Sequence, residues 1–110
     1  MAFDPGLAQR VREAFDGWVL VDERRMFGGL AFMYRSHMTV GILGERLMVR
    51  AGPDAYEHAL SLPHVSPMDF TGKPLKGMVM VAVAGLESDA DLLVWLHRAM
   101  AYVETLPDKR

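Results

Sequence analysis

The sequence contains no cysteine in its 110 residues. A disulfide framework, a cysteine-ligated zinc site and a cysteine nucleophile are therefore excluded. It also has no excess of either charge: 12 Lys and Arg stand against 14 Asp and Glu, a net −2 at pH 7. Split at residue 55, the first half nets zero and the second carries the whole −2, so there is neither a polybasic arm nor an acidic tail. Affinity for nucleic acid through surplus cation has no basis in such a chain. Long apolar runs are missing too. The longest uncharged one, Gly77 to Leu86, is far short of the roughly 20 residues that a membrane span needs. The first residues, Met1 to Gly6, show neither the positive segment nor the apolar segment of a secretory signal. What is present is a 51% hydrophobic chain, too apolar for disorder and of a length for one domain, residues 1–110, expected in the cytoplasm.

Asp4-Pro5 reads as a helix start, with Asp as N-cap and Pro at the first helical position. Leu7, Val11, Ala14, Phe15 and Trp18 follow at helical spacing, which predicts a helix over about 5–16. Met26 to Gly29 reads as a flexible entry to a meander of three strands. In it Leu30, Phe32 and Tyr34 alternate with Ala31, Met33 and Arg35. Met38, Val40 and Ile42 then alternate with Thr39, Gly41 and Leu43, and Leu47 and Val49 with Arg46, Met48 and Arg50. Gly44-Glu45 has the form of a type II′ hairpin turn. A short helix is expected between Gly52 and about Leu60, then a loop with a short strand near Met68 to Phe70, then an apolar strand over Met78 to Val83. Ser88-Asp89-Ala90-Asp91 resembles a capping box opening a last helix, about Asp89 to Thr105. The order α-β(3)-α-β(2)-α predicts an α+β, two-layer domain with an antiparallel sheet.

No nucleophile–base–orienter set is legible. Gly28-Gly29 lacks the further glycines of a dinucleotide loop and is read as a backbone device. Gly72-Lys73 is no P-loop, because Pro67 and Pro74 occupy positions that need Gly and Ser or Thr. Arg24, Arg25, Gly28, Gly29, Lys73 and Lys76 form a candidate interaction or anion site if their loops converge. His37, His58, His64 and His97 show no zinc spacing, and Asp54 with His58 makes at most a surface pair. Ser66 stands outside any nucleophile elbow, and Asp89 and Asp91 suit a helix start. No cofactor and no metal is implied. Met78, Met80 and Ala82 oppose Val79, Val81 and Val83, so the strand is apolar on both sides. In a two-layer domain the second face then needs a helix, a loop or a partner over it, and Met78, Met80 and Ala82 are the candidate dimer face.

Several stretches together resemble the N-terminal domain of the TfoX/Sxy family, named after regulators of bacterial natural competence. They are Arg24 to Met33 with its Met-Phe-Gly-Gly, His37-Met38, Leu47 to Arg50, Gly72 to Val79, and Leu92 to Leu96. The resemblance implies a secretion-chaperone-like fold in the order already read, and it brings no catalytic residues with it. The chain stops just after its last predicted helix, where full-length competence regulators continue into a second helical domain. The expectation is a stand-alone, non-enzymatic regulatory or chaperone-like module acting through protein contacts, with a homodimer expected and no direct nucleic-acid binding. Two other readings stand beside it: a binder or enzyme for a small anionic ligand, and a transcriptional co-regulator that reaches DNA through another protein.

Overall fold

Asp4 caps the first helix as its position predicts. Its carboxylate accepts the Gly6 N–H at 2.9 Å and Pro5 occupies the first turn of α1, Pro5–Ala14. The computed structural model describes residues 3–16, 21–26, 28–68 and 76–107. After α1 come β1 (Val21–Met26), β2 (Gly29–Tyr34), β3 (His37–Leu43), β4 (Arg46–Arg50), α2 (Tyr56–Leu60), β5 (Val65–Pro67), β6 (Met78–Val81), a 3-10 turn (Val83–Gly85) and α3 (Asp89–Val103). The six strands form one antiparallel sheet in the order β1-β2-β3-β4-β6-β5.

The class is α+β as expected, but the meander has four strands, not three. The added strand is β1, whose residues Asp22 to Met26 are all exposed. An edge strand that buries neither face carries no alternating apolar signal. The strand expected at Met68 to Phe70 lies earlier, at Val65–Pro67, and Asp69 and Phe70 fall outside the described residues. Pro67 is tolerated because β5 is the other edge of the sheet, where a missing N–H breaks no ladder. The apolar run after Met78 leaves the sheet at Val81, and Val83 belongs to the 3-10 turn.

Period 2 divides the sheet. Leu30, Phe32, Val40, Ile42, Leu47, Val49, Val79 and Val81 face the helices and are buried with Leu7, Val11, Leu92, Trp95, Leu96 and Ala99. Each such aliphatic side chain contributes about 1.5–3 kcal/mol by leaving water. On the opposite face Met48, Met68 and Met80 bury one another, with Met38, Leu43 and Met78 at the rim. Met38 reaches that cluster through a β-bulge. Phe32 pairs with Val40 and Met33 with Met38, so Thr39 is the extra residue and the phase of β3 shifts by one. This corrects the simple alternation read for β3. Thr39 is fully buried, and its hydroxyl donates to the Phe32 carbonyl at 2.9 Å.

The turns set the register. Met26 pairs with Gly29, and Gly28 lies in the tight turn between them at φ +79°, so the Gly-Gly pair is a hairpin device. Arg35 and Ser36 both have positive φ, 53° and 68°, the pattern of a type I′ turn. Gly44 has φ +63° while Glu45 stays negative, in agreement with the type II′ expectation. The Gly44 carbonyl also accepts the Asp4 N–H at 2.7 Å, which ties the start of α1 to the β3–β4 hairpin. Ser88 caps α3 by accepting the Asp91 N–H at 3.0 Å.

Candidate functional site

The candidate anion site is not assembled by the fold among the described residues. Arg24 and Arg25 are neighbours on β1 and so project to opposite sides of the sheet. The Arg25 guanidinium lies 5.5 Å from the centroid of the Phe3 ring. Lys76 lies just before β6, four strand spacings from β1 in the sheet order, roughly 19 Å at the usual inter-strand distance. Gly28 and Gly29 complete the β1–β2 hairpin, and Lys73 lies outside the described residues. The arginines and Lys76 therefore do not line one pocket.

The clefts nearby have the wrong sign for an anion. One of about 380 Å³ lies beside β1, lined among the described residues by Phe15, Val21 and Phe32 with Asp16, Asp22, Glu23 and one cation, Arg12. Another of about 290 Å³ gathers Asp4, Glu45 and Glu87 around Arg10. Within the first, Arg12 binds Glu23 through two hydrogen bonds, Nε to Oε2 at 2.6 Å and Nη2 to Oε1 at 2.9 Å. Those bonds hold the Glu23 carboxyl below the usual carboxylate range and raise the Arg12 guanidinium further. Arg10 donates to the Leu86 carbonyl at 2.7 Å and meets Asp89 at 3.3 Å, clamping α1 to the entry of α3.

Of the candidate dimer face, Met80 is buried inside the single chain and Met78 and Ala82 are half-buried. Among the described residues, the large apolar side chains left exposed are Met26, Val83, Leu93 and Val94. Leu93 and Val94, adjacent on α3, are 37% and 51% exposed.

Three arrangements were not read from the sequence. Arg50 lies 5.7 Å over the ring of Tyr102, and Arg98 lies 5.3 Å over the ring of Trp95, so two cations stack on one side of α3. The spacing Trp95–Arg98–Tyr102, three and four residues apart on a predicted helix, is the signal that could have shown the second stack. His37 is buried, and its Nε2 lies 2.6 Å from the Pro107 carbonyl. A carbonyl only accepts, so Nε2 carries the proton, and Nδ1 is buried without a partner among the described residues. This bond fastens the exit of α3 to the head of β3. Finally, the last glycine of the Gly72–Gly77 stretch is a clamp. Gly77, at φ +95°, accepts the N–H groups of Ala51 and Gly52 at 2.8 and 3.0 Å.

Among the described residues no group of three or more His, Asp or Glu is placed to share a metal ion. None of their helices is long and apolar enough to cross a membrane. The family model of the TfoX N-terminal domain matches residues 13–103. Comparison with curated proteins and with solved structures finds no match.

Proposed function

This chain belongs to the TfoX N-terminal domain family, matched over residues 13–103 of its 110, and from that premise we propose that it is a non-enzymatic regulatory or chaperone-like module that works by protein contacts in the cytoplasm. Membership makes it a domain of the competence-regulator kind. The residues that carry the family pattern are occupied with architecture. Gly28 turns a hairpin, Gly77 clamps the end of β4, and Leu92, Trp95 and Leu96 fill the core. Such positions preserve a scaffold and leave its surface to vary.

The observation that carries the reading is the exposed pair Leu93 and Val94 on α3. Large aliphatic side chains standing side by side in water, on a helix whose other face is buried, suit a contact with another protein. The test is affinity capture from the native cell with the natural chain and with a Leu93→Glu, Val94→Glu variant. Both substitutions lie at exposed positions, so the fold is expected to survive, and circular dichroism checks it. One stoichiometric protein captured by the natural chain and lost by the folded variant supports the module. A bound small anionic metabolite and no protein would overturn it in favour of a ligand binder.

A further inference from the structure

The two edges of the sheet differ. At one end β5 has three residues and ends in Pro67, so it offers little to another strand. At the other end β1 has six residues, Val-Asp-Glu-Arg-Arg-Met, with no proline, and every residue from Asp22 onward is exposed. A cleft lies between β1 and the end of α1, bridged by the Arg12–Glu23 pair. Its outer row of backbone groups has no strand beside it among the described residues, and its side chains carry two negative and then two positive charges.

We propose that β1 pairs with β1 of a second copy of this chain, antiparallel, about a two-fold axis that passes beside Glu23. This goes beyond the protein-contact reading and does not depend on it. The register follows from symmetry. A two-fold axis perpendicular to the sheet carries each face onto itself, so only residues of the same parity can stand opposite each other. Two registers then keep most of the strand paired, one centred on Glu23 and one on Arg24.

With Arg24 on the axis, Glu23 of each copy faces Arg25 of the other, but Glu23 is already held by its own Arg12, and two guanidinium groups with no ion-pair partner among the described residues meet on the axis, which is repulsive. With Glu23 on the axis, Asp22 of each copy faces Arg24 of the other, giving two opposite-charge pairs on one face. Neither Asp22 nor Arg24 has an ion-pair partner among the described residues of its own chain. The two Glu23 carboxylates on the axis are each held by their own Arg12, at 2.6 and 2.9 Å, so they meet as neutralised pairs. The backbone favours the same choice. Met26 and Gly29 close a tight hairpin, so Met26, Arg24 and Asp22 direct their amides toward β2 while Arg25, Glu23 and Val21 direct theirs outward. The Glu23-centred register uses the outward groups of all three residues, and the Arg24-centred one uses only those of Glu23 and Arg25. The charges deter pairing with an arbitrary strand, and the Glu23-centred register is the one in which the outward backbone groups and the charges left without a partner agree.

The test is sedimentation velocity from micromolar to millimolar protein. The natural chain is expected to shift from 12.3 kDa toward twice that mass as concentration rises. Arg24→Glu sets Asp22 against Glu, and Asp22→Arg sets Arg against Arg24, each twice over. Each variant alone is expected to dimerise at least about tenfold more weakly. Mixed in equal amounts, the two single variants restore opposite charges at every such pair and associate with each other. The Asp22→Arg, Arg24→Glu double variant recovers self-association. Both positions are exposed, and circular dichroism confirms that each variant is folded. A natural chain that stays at 12.3 kDa at every concentration, a dimer indifferent to Arg24→Glu, or folded single variants that do not associate when mixed would each overturn the proposal.

Discussion

The ring of Tyr102 lies against the α-carbon of Gly52 so closely that a β-carbon added there would sit 2.4 Å from Tyr102 Cδ1. Gly52 also has φ +88° and donates its N–H to the Gly77 carbonyl. The bend after β4, the approach to β6 and the last turns of α3 therefore meet at one glycine. Gly52→Ala adds left-handed backbone strain and a collision with the ring. It is expected to cost about 2–4 kcal/mol in urea denaturation. The collision belongs to the pair, so the cost of Gly52→Ala should shrink in a Tyr102→Ala background. Simple additivity of the two substitutions would show that the ring is not the obstacle.

Two hairpin positions should respond in opposite directions. Ser36 has φ +68° in the β2–β3 turn, where glycine avoids the strain at some cost in unfolded-chain entropy. Ser36→Gly is expected to stabilise by roughly 0.5 kcal/mol, the difference between those two effects. Gly44 has φ +63° with nothing within 4 Å of an added β-carbon, so Gly44→Ala meets no steric obstacle and costs only the backbone term, about 1 kcal/mol. Thermal denaturation of both variants checks the signs.

Thr39 is the extra residue of the β3 bulge, and its hydroxyl donates to the Phe32 carbonyl at 2.9 Å in a fully buried place. Thr39→Val keeps the shape and removes the donor. The expected loss is about 1–2 kcal/mol in urea, with an unchanged denaturant slope because the fold still exposes the same surface. A neutral result would mean that the bulge holds without this bond.

How much was legible in the sequence depended on what each element buries. Strands β2 to β4 bury a face against the helices, so their apolar residues alternate, and the starts of α1 and α3 announce themselves through Asp4 and Ser88. The β1 strand was missed because Asp22 to Met26 are all exposed, and an exposed strand is written in charges. The β5 strand was hidden by Pro67, which reads as a loop until its edge position is known. Arg24 and Lys76 are kept apart for a topological reason. Arg24 and Lys76 each stand near a glycine motif, but those motifs serve hairpin and clamp at opposite parts of the sheet. The clamp of Gly77 on Gly52 and the stack of Arg50 on Tyr102 join distant segments, so no local pattern could announce them.

The Arg12–Glu23 pair joins α1 to β1 and gives the chain a pH signature. Hydrogen bonds from Arg12 lower the Glu23 pKa, so folding is helped only while the carboxylate stays ionised. The contribution is complete above the unfolded carboxylate pKa of about 4.3 and fades as pH falls through the lower folded value. Both side chains are partly in water, 46% and 35% exposed. Solvent screening therefore keeps the effect small, at most about 1 kcal/mol, and smaller in high salt. Compared with Glu23→Gln at protein concentrations too low for association, the natural chain should be more stable by a constant margin above about pH 5, a margin that closes below about pH 4. Urea titrations across that range measure the margin directly. A margin that persisted at pH 3 would mean that Glu23 acts through packing or backbone rather than through its charge.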